Sequence, residues 1–88
     1  MNITILDAKM THSKETGYVG QVVFQVPGHA NPYEITVQSK TKKEWSYSLN
    51  FAKESGPEED IVAVEELLEE DDEVFDSLVE AAESKLVK

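Results

Sequence analysis

The sequence predicts an α+β fold: a four-stranded antiparallel β-meander followed by two C-terminal helices, packed as a two-layer sandwich. Three observations predict it. Segments within residues 1–53 alternate apolar and polar side chains with period two, whereas residues beyond 57 repeat apolar side chains at helical spacing. The charge divides at the same place. Residues 1–53 hold six lysines against four carboxylates, +2, and residues 54–88 hold two lysines against fourteen, −12. The reading is one domain, residues 1–88, with its sheet in 1–53 and acidic helices in 57–87.

The first strand falls in residues 2–10, NITILDAKM. Leu6, Ala8 and Met10 are assigned to its buried face, because the opposite choice would bury Asp7 and Lys9. Ile3 and Ile5 then lie on the outer face beside Val19 and Val23, a small apolar patch among Gln21 and Gln25. The connecting loop is THSKETG, residues 11–17.

The second strand is YVGQVVFQV, residues 18–26, in which Tyr18, Val22, Phe24 and Val26 share a face with Gly20. Proline and glycine in PGHANP end it. In the third strand Tyr33, Ile35 and Val37 alternate with Glu34, Thr36 and Gln38. In the fourth, Trp45, Tyr47, Leu49 and Phe51 alternate with Ser46, Ser48 and Asn50. Residues 40–44, KTKKE, read as a tight hairpin with Lys40 opposite Glu44. That register sets Val37 against Tyr47 and Ile35 against Leu49, keeping the apolar faces together, and a slip of one would bury serines.

Ser55, Pro57 and Glu58 carry the pattern of a capping box with proline in the first turn. Ile61, Val64, Leu67 and Leu68 form one helical stripe. Val74, Phe75, Leu78, Val79, Ala82 and Leu86 form another. A continuous helix would place Asp71 on the seam, so the sequence predicts a break there and a second helix capped by Asp71 or Asp72. Glu73 and Asp76 sit near its positive end, and Lys85 and Lys88 at its negative end. At least one helix is expected to cover the aromatic face of Tyr18, Phe24, Tyr33, Trp45, Tyr47 and Phe51.

Several function classes find no support in the residues. Cysteine is absent, so neither a disulfide, a thiolate metal site nor a cysteine nucleophile is available. Phosphate-cradling glycine loops, the serine nucleophile elbow and the Ca²⁺-loop spacing are all missing. His12 and His29 both fall in expected loops, residues 11–17 and 27–32, and read as solvated. No catalytic residue, cofactor or metal site is assigned. Lys40, Lys42 and Lys43 cluster at a hairpin tip near Trp45 and Tyr47, but alternation turns those rings inward, and a −10 chain makes a poor phosphate footprint. No nucleic acid and no membrane is expected as a partner. The N-terminus lacks a signal peptide's basic and long apolar regions. The expected location is the cytoplasm, and the all-lysine usage points to an AT-rich bacterial genome.

What remains is EELLEEDDEVFD, residues 65–76, with eight carboxylates and no base. Like charges four apart in a helix oppose each other by about 0.2–0.5 kcal/mol per pair. Glu65–Glu69, Glu66–Glu70, Asp72–Asp76 and Asp76–Glu80 are such pairs. The bland explanation is solubility. The sharper expectation is a small, non-enzymatic accessory or regulatory protein that binds a basic protein partner through Glu65, Glu66, Glu69, Glu70, Asp72, Glu73 and Asp76. The alternative is a self-associating module, a homodimer pairing through Ile3, Ile5, Val19 and Val23. A small-molecule binder with a pocket between sheet and helices is a third class.

Overall fold

A computed structural model describes residues 3–53 and 56–85. The elements run β1 (Thr4–Ser13), β2 (Gly17–Gln25), β3 (Tyr33–Ser39), β4 (Ser46–Phe51), α1 (Glu58–Glu70) and α2 (Asp72–Glu83). The strands form one antiparallel sheet in the order β1-β2-β3-β4. The fold is α+β, as the alternation and the helical stripes predict.

The register of the central strands follows the hydrophobic pattern. Val22 lies opposite Ile35, which lies opposite Leu49, and Phe24 opposite Tyr33, which lies opposite Phe51. Val37 faces Tyr47 as expected. Opposed residues share a face of the sheet, so this register builds one apolar surface. Val22, Phe24, Tyr33, Ile35 and Val37 are fully buried in it. The expected Lys40–Glu44 pair is not in the ladder, because β3 stops at Ser39 and β4 starts at Ser46.

The helices cover that surface. α2 packs across β1 and β2, and α1 lies beside α2 and against β4. Val64 and Leu68 of α1 are buried, as are Val74, Leu78, Val79 and Ala82 of α2. Tyr18, Trp45, Tyr47, Phe51, Ile61 and Phe75 are partly buried around the same cluster, so sheet and helices share one core. The chain breaks between the helices at Asp71, whose carboxylate accepts a hydrogen bond from the Glu73 N–H at 3.1 Å. Asp71 ends α1 and caps α2 together.

Three further expectations need correction. β1 does not hold one alternation: its register shifts between Ile5 and Asp7. Ile5 lies opposite Phe24 and Asp7 opposite Val23, so Leu6 is the extra residue of a bulge and is 50% exposed. A bulge reverses the facing of everything before it. Here it lets Ala8 and Met10 face the core with Asp7 and Lys9 outside, while also bringing Ile3 against the core. Strict alternation forces a choice between those two apolar sets.

The helices are also shorter than predicted. α1 takes Pro57 as its N-cap with no side-chain hydrogen bond, and α2 ends at Glu83 with no base in its last turn. Ser55, Leu86 and Lys88, which the sequence reading used as cap, stripe and end charge, lie outside the described residues. Finally, His12 is in β1, opposite Tyr18 with ring centroids 4.4 Å apart, not in a loop.

Candidate functional site: the acidic helical layer

The burial of the two apolar stripes fixes where the carboxylates go. Val64 and Leu68 are four apart and turn inward, so the residues that follow each, Glu65 and Glu69, rotate about 100° away from the core. Glu66 and Glu70 rotate further. Glu65, Glu66, Glu69 and Glu70 on α1, and Asp72, Glu73 and Asp76 on α2, are all exposed. The structure therefore leaves the seven predicted residues exposed on the helical layer.

None of the seven has a basic partner among the described residues. The ion pair found there joins Lys42 Nζ to Glu83 Oε2 at 3.7 Å, near the far end of α2. Carboxylates nearer the sheet are felt by its tyrosines. The Tyr47 hydroxyl is pushed above its ordinary range by burial, with Glu69 and then Glu65 adding to the shift. Tyr33 is raised in the same direction by burial and by Asp60. A carboxylate opposes formation of a phenolate, so Asp60, Glu65 and Glu69 add to what burial already does to these two hydroxyls.

The lysine cluster of the β3–β4 connection is less free than its composition implies. Lys42 adopts a positive φ of 67°, and its N–H donates to Ser39 Oγ at 2.9 Å. The turn folds its ammonium over the Tyr18 ring, 4.7 Å from the centroid, and toward Glu83. Lys40 and Lys43 stay exposed. Trp45 and Tyr47 point into the core rather than toward those lysines, and the Tyr47 and Phe75 ring centroids are 5.6 Å apart.

His29 has a role that sequence reasoning missed. Its Nδ1 lies 2.6 Å from the hydroxyl of Tyr33, a residue with no exposed surface. A buried hydroxyl needs a partner, and the spacing His29–Tyr33 across a turn was the available signal. Gly28, at φ +86°, lets that turn close, with the His29 N–H donating to Val26 O.

The alternative patch does not assemble. Ile3 packs on the core side, and Ile5 stands opposite Phe24 at the sheet edge, 40% exposed. Val19 and Val23 remain on the open face, Val19 between Thr11 and Gln38 and Val23 between Asp7 and Glu34.

Depressions on the surface are open and mixed in character. One of 430 Å³ is lined by Gln38, Ser39, Lys40, Thr41, Glu44 and Ser46. Another of 330 Å³ lies between the β1 bulge and the end of α2, lined by Ile5, Leu6, Ala8, Ala81 and Lys85 among others. The space between sheet and helices is filled by Val22, Ile35, Val37 and Leu78. No helix among the described residues is long and apolar enough to cross a membrane.

No protein-family model, curated protein or solved structure matches this chain. Function is therefore argued from the surface itself.

Proposed function

We propose that this protein is a non-enzymatic cytoplasmic accessory protein that binds a partner protein with a basic surface through the acidic layer of α1 and α2. One observation carries the reading: seven exposed carboxylates occupy one layer, and none has a basic partner among the described residues. The four like-charge pairs of that layer oppose folding by about 1–2 kcal/mol in total at low salt. For a small domain that is a substantial fraction of its stability. A basic partner removes the repulsion on binding, and the field of the layer speeds encounter with it.

The self-association reading has less support. With Ile3 turned inward, the open sheet face offers two half-buried valines among polar residues. Val23 is flanked by Asp7 and Glu34, and stacking two copies there would bring those carboxylates together.

Capture from lysate by the native chain and by the triple variant Glu66→Lys, Glu69→Lys, Glu70→Lys tests the proposal. The native chain is expected to retain basic proteins in a salt-sensitive manner and the variant to lose them. An unchanged set of captured proteins would reduce the acidic layer to a solubilising surface.

A further inference from the structure

β4 ends the sheet, and among the described residues its outer edge has no strand beside it. The Ala52 N–H donates to Pro32 O at 3.1 Å, which makes these two a hydrogen-bonded pair of the β3–β4 ladder. Bonded and non-bonded pairs alternate along an antiparallel ladder. Glu34–Asn50, Thr36–Ser48 and Gln38–Ser46 are therefore the bonded pairs. It follows that the backbone N–H and C=O of Tyr47, Leu49 and Phe51 point away from β3, where no backbone group among the described residues meets them.

The two edges of the sheet are not alike. β1 carries Asp7 and Lys9 and is broken by its bulge, all features that discourage an added strand. β4 has no charge, no proline and an unbroken register. Above it lies α1, EEDIVAVEELLEE, with seven carboxylates and no base. An edge open to pairing under an anionic helix selects its visitor by charge.

We propose that β4 accepts a fifth strand, an extended segment of a partner protein carrying lysine or arginine at alternate positions. This rests on the acidic-layer reading and names how that partner docks: backbone pairing with Tyr47, Leu49 and Phe51, and alternate cations reaching Glu65 and Glu69. Strand addition of this kind takes affinity from main-chain bonds and specificity from alternate side chains. Charge argues against a second copy as the occupant, because pairing β4 with β4 sets side by side two α1 helices whose charged residues are all acidic.

The test uses the full chain, ¹⁵N-labelled, and a Lys-Val-Lys-Val-Lys-Val-Lys peptide. A control peptide is N-methylated at alternate residues, so it keeps the charge and loses the hydrogen bonds of one edge. Binding of the first peptide is expected to slow amide exchange at Tyr47, Leu49 and Phe51, and methylation to abolish that protection. Reversing Glu65→Lys and Glu69→Lys is expected to weaken binding by roughly tenfold, the sum of two exposed pairs lost and made repulsive. If both peptides bind equally and perturb α1 and α2 but not β4, strand addition is wrong and the acidic layer still stands. If neither peptide perturbs any residue, both readings fail. If light scattering of the free protein shows a dimer with β4 amides already protected, the occupant is a second copy and the proposal is overturned.

Discussion

Replacing Gly20 by valine is expected to destabilise the protein by about 3 kcal/mol, at the upper end of what overpacking a core does. Gly20 sits on the buried face of β2, between Met10 and Val37. A Cβ placed there would lie 2.9 Å from Ala82 Cβ, 3.0 Å from Met10 Cε and 3.1 Å from Val37 Cγ2. Met10 can swing its terminal methyl aside, but the Ala82 Cβ cannot move without the α2 backbone, and Val37 is fully buried in β3. The added atoms can enter only by lifting the helix from the sheet. In a domain of this size the melting temperature should fall by more than about 10 °C. Gly20→Ala should fall between, and Ala82→Gly in that background should restore part of the loss, since the two sites touch. A Gly20→Val protein that melts like the parent would show that α2 does not rest on β2 as described.

Leu78→Ala should have a comparable effect, about 2–5 kcal/mol, by the opposite route of leaving a void. Leu78 is fully buried in α2, inside the cluster that joins helices and sheet. By contrast Val62, on α1 and 43% exposed, should change stability by less than about 0.5 kcal/mol when cut to alanine. Denaturant unfolding of the two variants separates them. Equal losses would mean that the inward stripe of the helices is misassigned.

Much of this was readable from the residues, for reasons that differ between elements. β3 and β4 each have one mainly polar and one mainly apolar set, so only one register keeps Ser46 and Ser48 of β4 out of the core, and the fold adopts it. The helix break was legible because Asp71 would have fallen on an apolar seam. β1 was not legible: both of its alternating sets contain apolar residues, and a single inserted residue satisfies each in turn. Nothing in NITILDAKM marks where that residue falls. The contacts of Lys42 were hidden for a different reason. Lys42 reaches Tyr18 and Glu83 only because of a left-handed backbone and contacts distant in sequence, neither of which local composition encodes. The acidic layer was visible as charge, and its exposure followed once the stripes were known to face inward.

The central claim is that these carboxylates are held against the stability of the fold, facing water for a partner to meet. Thermal unfolding of Glu66→Gln, Glu69→Gln, Glu70→Gln beside the native chain, across a series of NaCl concentrations, tests it most directly. All three residues lie toward the C-terminal end of α1, whose partial negative charge opposes them and whose last turn holds no base. The variant should be more stable by about 1 kcal/mol at low salt. The difference should vanish near 1 M, where screening acts within about 3 Å. A variant less stable than the parent at every salt concentration would mean that the carboxylates hold the structure together, and the claim would be wrong.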